Sequence, residues 1–320
     1  MKILVTGGAG YVGSVLVAKL IENGYEVNVL DDLSTGHRDA VHKKATFYNG
    51  SILNNEALME SMIECEVVFH LAAKTLVAES VAKPDYYMEV NLNGTENVLR
   101  TMTQLKINKF VMASTCAVYS ASSIPLNEKS KLGPTSPYGE SKLLADNLIS
   151  ILTEKFGLSS YSFRFFNAAG AYYSKDLGWL KERHNPETHL IPNLIKSSSV
   201  AKFKLFGTDW DTSDGTCIRD YVHVADIAEA CLKAISSFKP KVHEIINLGS
   251  NTGVSVKEII HIFEDIKKTK LDFDVLGRRD GDSAILVADS NKALKILNWK
   301  TNFDSKMIIQ TCLEIDPSNA

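Results

Sequence analysis

Apolar residues follow two alternating spacings along this chain. Short continuous runs such as Ile3-Leu4-Val5, Val27-Asn28-Val29-Leu30 and Phe110-Val111-Met112-Ala113 show no in/out alternation, the mark of strands buried on both faces. They predict strands at 2–6, 26–30, 45–48, 66–70, 108–113 and 160–165. Between them the apolar positions recur at helical spacing, predicting helices near 12–23, 54–62, 87–106 and 139–156. Strand and helix in strict alternation mean an α/β protein with a doubly wound parallel sheet, a Rossmann arrangement with its ligand crevice at the carboxyl ends of the strands. From Ala171 to about Gly215 the pattern breaks into Gly, Pro, Asn, Asp, Lys and His, with a helical piece at Pro192–Val200 and a strand at Phe203–Phe206. A return to the sheet is expected at Ile245–Gly249, then a helix at 255–267 and a last strand and helix to about 298. The expected division is a dinucleotide-binding domain at 1–170, with a returning segment at about 220–250. A smaller interleaved C-terminal lobe at 171–219 and 251–320 completes it. No repeat, linker or low-complexity segment interrupts the chain.

The first strand runs into Thr6-Gly7-Gly8-Ala9-Gly10-Tyr11-Val12-Gly13, where Gly8, Gly10 and Gly13 fit a dinucleotide turn. Glycine serves there as tight turn, as close backbone approach to phosphate and as close helix-to-strand packing. The orphan N–H groups and positive dipole end of the following helix meet the pyrophosphate. The second strand ends in Asp31-Asp32, placed for the adenosine ribose hydroxyls; an acid there repels a 2′-phosphate and favours NAD over NADP. Tyr138 and Lys142 stand four apart in a helix that begins after Pro137, hence on one face. The strand that ends in Ser114-Thr115 brings a hydroxyl to the same crevice edge. A phenol of ordinary pKa near ~10 needs cationic neighbours to act as a base at neutral pH, and Lys142 and a nicotinamide would supply them.

Bulk properties narrow the partners. A net charge of -3 and a pI near 6.3, with Lys and Arg dispersed, give no field for nucleic acid. Five cysteines without a Cys-x-x-Cys pair point to reduced thiols in a cytoplasmic protein, with neither disulfides nor a metal site expected. No apolar stretch approaches a membrane span, and no signal segment precedes the first strand. Apolar residues beyond a single stripe (Val98, Leu99, Met102; Leu143, Leu144, Leu148, Ile151, Leu152) lead us to expect an exposed face covered by a second subunit.

With these residues in place, the chain resembles the extended short-chain dehydrogenase/reductases and, within them, the UDP-glucose 4-epimerase family. The likeness runs end to end. It is carried by Thr6–Gly13, Asp31–Gly36, Tyr86-Tyr87 through Asn91 to Gly94-Thr95, Ser114-Thr115, Ser136–Lys142, Arg164–Asn167 and Ala169–Ala171. More specific are Asn185–Pro192, Asp214–Thr216 with Ile218–Val224, and Arg278–Asp282. The resemblance implies an NAD site made by Gly7, Gly10, Tyr11, Val12, Asp31, Asp32, Leu33, Ser34, Thr35, Gly36, Ser51, Ile52, Leu71, Ala72, Ala73, Asn91 and Phe166, with Tyr138 and Lys142. It implies Tyr138 as base, Thr115 sharing its hydrogen bond and Lys142 holding the nicotinamide ribose. Arg219 and Arg279 would grip the diphosphate of a UDP-sugar, and Asn167 would reach diphosphate and sugar. The His189-Leu190 backbone and Phe206 would hold uracil, and Asp282 the uridine ribose. Thr75 and Leu286 would wall the sugar pocket, a leucine leaving room for some N-acetyl substrate. Ser51 stands where an aspartate usually meets the adenine amino group. The implied reaction inverts C4 of a UDP-hexose through a 4-keto sugar, in a homodimer. Asp220, His223 and Asp226 read as a structural network.

Rival readings weaken at particular residues. Dehydratases of this superfamily carry an acidic pair after the strand-end threonine and uronate decarboxylases a glutamate, where this chain has Cys116-Ala117. A noncatalytic dinucleotide sensor would need neither Tyr138 with Lys142 nor two substrate arginines. The preferred sugar among glucose, N-acetylglucosamine, xylose and uronic acid forms stays open.

Overall fold

The computed structural model describes residues 1–185, 187–197, 202–279 and 281–315. Pro186, Asp280 and the Val200 end of the expected helix lie outside the described residues. The first half runs β1 (Lys2–Thr6), α1 (Tyr11–Glu22), β2 (Glu26–Asp31), β3 (Thr46–Asn49), α2 (Asn55–Met62) and β4 (Val67–His70). It continues with α3 (Val77–Ala82), α4 (Pro84–Met88), α5 (Gly94–Gln104), β5 (Lys109–Thr115), α6 (Pro137–Phe156) and β6 (Ser159–Phe165). After three short strands, β7 (Asn167–Ala169), β8 (Tyr172–Ser174) and β9 (Gly178–Leu180), come α7 (Leu190–Ser197), β10 (Phe203–Phe206), β11 (Ile218–His223), α8 (Val224–Ile235) and β12 (His243–Leu248). The chain ends with β13 (Gly253–Ser255), α9 (Val256–Lys267), β14 (Phe273–Leu276), β15 (Ile285–Leu286), α10 (Asn291–Leu297) and α11 (Ser305–Leu313).

Seven parallel strands form the main sheet in the order β12-β6-β5-β4-β1-β2-β3. The order reverses between β1 and β4, so the crevice opens where Thr6, His70 and Thr115 end their strands. The continuous apolar runs are buried as expected: Ile3, Leu4, Val5, Phe110 and Met112 are fully enclosed. One face of the sheet packs with α1 and α8 around Val15, Leu16, Ile227 and Ala230, and the other with α2, α5 and α6 around Leu58, Val98, Met102 and Ile149. In the smaller lobe β11 pairs with β7, β13 and β15, β10 pairs with β14, and α7, α9 and α11 close a third core around Ile259, Phe263 and Ile309.

Several elements differ from the sequence expectation. The helix expected at 87–106 is built in three pieces, α4, a π-helical turn at Glu89–Asn93, and α5. Helices α3, α8 and α11 were not foreseen. Residues 220–223, expected in the returning segment, belong to the small sheet as part of β11, while Ala293, Leu297 and Trp299 rejoin the main core. The expected apolar outer face is smaller than the spacing implied. Val98, Leu99 and Met102 are buried against the sheet, Leu143, Leu148 and Leu152 are half-buried, and only Leu144 and Ile151 are exposed. Helical spacing reports which side is apolar but not how wide a sheet covers it.

Helix α6 is fixed to the sheet by charge as well as apolar packing. Asp146 Oδ2 accepts from Arg164 Nε at 3.1 Å, Arg164 Nη2 at 3.0 Å and Ser114 Oγ at 3.2 Å, and both charged side chains are 1% exposed. Removing one partner strands the other charge in a dry interior. Asp146→Ala should therefore cost about 3–5 kcal/mol in the urea unfolding free energy, whereas Asp146→Leu combined with Arg164→Met should recover most of it. A single-variant loss below about 1 kcal/mol would overturn this account.

Candidate active site

At the end of β1 the backbone takes a turn that only glycine allows. Gly7 has φ 71°, and a Cβ there would lie 2.5 Å from the Ala72 amide nitrogen. A Cβ at Gly13 would collide with the Gly7 carbonyl oxygen. The working triad of glycines is thus Gly7, Gly10 and Gly13; Gly8, read from sequence as its first member, is instead packed on the Val29 side chain of β2. Gly10 caps α1, and no side chain caps it there. The first-turn amides, with Tyr11 and Val12 among them, are left for an anion, and this cradle fits a dinucleotide pyrophosphate.

Asp31 does more than the sequence reading gave it. Its two oxygens accept the Ala9 and Leu33 amides, each at 2.9 Å, tying the glycine turn to the loop after β2. Burial pushes its carboxyl up, against those hydrogen bonds. Asp32 is exposed and accepts the Ser34 amide at 2.9 Å, Thr35 is exposed, and Gly36 packs against Ala9 and Asp31. Ser51 Oγ accepts the Leu53 amide at 3.2 Å, and Ile52 is buried in the α2/α5 core. Leu71 and Ala72 hang from Thr6 through its carbonyl at 3.0 Å and its hydroxyl at 3.4 Å, with Ala73 next in line.

Asn91 sits in the π-helical turn, an insertion that swings one side chain out of helical register. Its amide bonds both backbone groups of Lys74, at 2.8 and 2.9 Å, and reaches Ser141 Oγ on α6 at 3.0 Å. Lys74, unnoticed in the sequence, extends Nζ to Ser34 Oγ at 2.8 Å, which places a cation beside the loop after β2. Its only sequence signal was a lone lysine just past a strand end. Beneath runs a buried chain: Thr6 Oγ1 to His70 Nδ1 at 2.7 Å, His70 Nε2 to Thr95 Oγ1 at 3.0 Å, and Thr95 Oγ1 to the Asn91 carbonyl at 2.6 Å.

Ser136 caps α6 by accepting the Gly139 amide at 3.2 Å, and Pro137 fills the first helical position. Tyr138 and Lys142 then share one face, as their spacing predicts. Burial pushes the Tyr138 phenol up to about 12, opposed by its hydrogen bond with Thr115. Burial pushes the Lys142 ammonium down to about 8, opposed by Asp146 one turn on. The expected lowering of Tyr138 by Lys142 is not among the influences on the phenol, where desolvation outweighs Thr115. Tyr87 meets Tyr138 edge-on with ring centroids 6.4 Å apart, and its hydroxyl donates to the Leu76 carbonyl at 2.8 Å.

The expected substrate residues assemble in pairs. On β11, Arg219 is opposite Leu286 of β15, and its guanidinium donates to Asp282 Oδ1 at 3.2 Å and the Ser283 carbonyl at 2.8 Å. Arg279 lies over the Phe206 ring at 3.9 Å. Leu286 packs with Cys116 and Phe166 beside the Thr115 strand end. Asn167 on β7 is opposite Tyr221, Leu190 opens α7 directly after His189, and Thr75 is exposed beyond β4. Asp220 accepts from Ser250, Asn251 and Ala288, His223 accepts the Ala225 amide, and Asp226 accepts from Asn302 and Phe303. Those three bind loops together.

Comparison with known proteins matches residues 3–249 to the model of the NAD dependent epimerase/dehydratase family. The chain is 40% identical to a UDP-glucose 4-epimerase of Corynebacterium glutamicum, over 93% of this chain and 90% of that one. Among solved structures it is similar to a UDP-glucose 4-epimerase from Brucella ovis in complex with NAD, at TM-score 0.90 and 35% identity, covering 97% and 96% of the two chains. It is also similar to one from Bifidobacterium longum in complex with NAD+ and UDP, at TM-score 0.93 and 28% identity, covering 100% and 99%.

The chain beneath the site makes stability depend on pH. Burial pushes His70 from 6.5 down to about 3, so the folded protein holds it neutral while the unfolded chain binds a proton below pH 6.5. This contribution is complete above 6.5 and is lost as pH falls toward 3. At pH 5 the loss is about 1.5 units times ~1.36, or roughly 2 kcal/mol. His70→Asn should remove that share of the difference between urea midpoints at pH 7 and pH 5; an unchanged difference would show that His70 protonates in the fold.

Proposed function

Because this chain belongs to the NAD dependent epimerase/dehydratase family, we propose that Tyr138, Thr115 and Lys142 form the working centre of a UDP-hexose 4-epimerase. The activity is NAD-dependent inversion at C4 of a UDP-hexose. The observation that carries the residue assignment is the placement of a half-buried Tyr138 and a buried Lys142 on one helix face, beside the Thr115 strand end at the carboxyl edge of the sheet. Rival chemistries lack their acids here, since Cys116 and Ala117 follow Thr115.

In this reading the glycine turn and Asp31 hold the dinucleotide, Asn91 fixes the loop carrying Lys74, and Lys142 meets the nicotinamide ribose. NAD, when bound, supplies the acceptor that takes a hydride from C4 and the donor that returns it to the opposite face. Tyr138 takes the proton of the sugar 4-hydroxyl as the 4-keto sugar forms, and gives it back on return. Thr115 shares that hydrogen bond and orients the phenol. Arg219 leaves Asp282 to meet the diphosphate, with Arg279 and Phe206 on its far side, Asn167 between diphosphate and sugar, and His189-Leu190 at the base. Leu286 and Thr75 border the sugar, and Leu286 leaves space for an N-acetyl group. The lobe at 171–219 and 251–320 thus carries the nucleotide sugar and 1–170 the dinucleotide. Leu144 and Ile151 on α6 and Val81 on α3 are exposed apolar side chains, which supports a homodimer. Five buried free thiols support a cytoplasmic setting.

Purified protein should interconvert UDP-galactose and UDP-glucose without added cofactor and release NAD on denaturation. Tyr138→Phe should lower kcat by ~10²–10⁴-fold while UDP binding holds, and near-normal turnover would place the base elsewhere.

The arginines are tested separately by calorimetry. Arg219→Ala and Arg279→Ala should each weaken UDP and UDP-sugar alike by about 1.5–3 kcal/mol, because the lost contact is to the diphosphate. Unchanged UDP affinity in both would sink the nucleotide-sugar assignment.

A further inference from the structure

The segment between β9 and α7 gathers two carboxylates and two imidazoles that the reaction does not use as acids or bases. Glu182, His184, Glu187 and His189 each turn one donor atom inward, and the four atoms lie within 4.8 Å of one another. Both imidazoles present Nδ1. His184 Nδ1 lies 3.0 Å from Glu182 Oε1, and His189 Nδ1 lies 2.9 Å from Glu182 Oε1 and 2.9 Å from Glu187 Oε1. The carboxylate side chains are 8% and 3% exposed, and the imidazoles are more open, at 23% and 44%. Among the described residues neither carboxylate has a lysine or arginine partner; their ion pairs are with these two histidines.

We propose that these four side chains form a binding site for a divalent transition-metal ion, zinc in the first place. Two enclosed carboxylates are compensated here by the two imidazoles that face them, and a dication that takes the place of the shared protons supplies the same compensation at one point. The donor set selects the metal. Two imidazole nitrogens with two carboxylate oxygens suit zinc and its neighbours, whereas magnesium and calcium take oxygen alone. The spacing agrees: a tetrahedral ion with ligands at ~2.0–2.2 Å sets its donors about 3.4 Å apart, and the observed pairs at 2.9–3.0 Å within a 4.8 Å cluster bracket that edge.

The ion would staple a strategic loop. Upstream, Arg183 and His184 border the same cleft as Gly10 and Tyr11 of the glycine turn, and Arg183 clasps Asp39 at 2.7 and 2.9 Å. Downstream, His189 leads into α7 of the smaller lobe. A metal here would cross-link the stretch that runs from the dinucleotide turn to the nucleotide-sugar lobe, and its role is structural.

The test is metal content and affinity, read independently of turnover. The whole protein, dialysed against chelator and then titrated with zinc against a chromophoric competitor, should take up one equivalent. Glu182→Gln and His184→Ala should each weaken uptake by roughly 10- to 100-fold, at least what loss of an outer-shell partner costs. Zinc should also raise the Tm of the wild type and not of His184→Ala. Should either variant misfold, cobalt bound to the wild type decides: strong visible bands of a four-coordinate ion support the site, and weak six-coordinate bands overturn it. No stoichiometric uptake by the wild type, or uptake unchanged in both variants, would show a hydrogen-bonded cluster without metal.

Discussion

The site depends on how helix α6 is rolled against the sheet. Tyr138, Lys142 and Asp146 are spaced i, i+4 and i+8, so one rotation buries Lys142 and Asp146 and half-buries Tyr138. Asp146 sets that rotation through Ser114 on β5 and Arg164 on β6. Arg164 continues to the Tyr119 hydroxyl at 3.0 Å, which donates to Asn247 on β12 at 2.7 Å. One carboxylate thus ties the helix to three adjacent strands. A buried ion pair is a weak source of stability but a strict source of geometry, because any other register leaves a charge unpaired.

The same burial explains the acid–base character of the site. Desolvation drives the phenol up and the ammonium down, so each favours its neutral form among the protein's own groups. Such a pair is poised to respond to a cationic ligand ring and to a substrate hydroxyl, since in a dry site each new charge acts with little screening. Function here runs against stability, as is common where ionisable groups are enclosed.

Around this helix the proposed cofactor side is built from backbone fitted to backbone. Gly7 against Ala72, Gly13 against the Gly7 carbonyl, and Asn91 against both peptide groups of Lys74 leave little freedom for the loops at the crevice. The proposed substrate side is built from side chains that hold one another. Arg219 rests on Asp282 and Arg279 on Phe206, so the cations are kept in place by groups a ligand can displace or share. That contrast suits a cofactor retained through the cycle and a substrate that enters and leaves.

What the sequence determined by itself was whatever is written in local period. Continuous apolar runs placed the parallel strands, the glycine turn placed the first crossover, and a four-residue spacing put Tyr138 and Lys142 on one face. Helix α3 escaped because six residues, four of them exposed, carry too little period, and the break at Glu89–Asn93 escaped because a π-helical turn leaves composition unchanged. Gly7 rather than Gly8 at the turn, Asp31 on the Ala9 amide, Lys74 beside Ser34, and Arg219 on Asp282 were decided only by tertiary structure. Their partners lie 22 to 63 residues away, or depend on one backbone dihedral. The reason is physical: periodicity records which side of an element avoids water, whereas the partner of a polar group is chosen by the packing of elements distant in the chain.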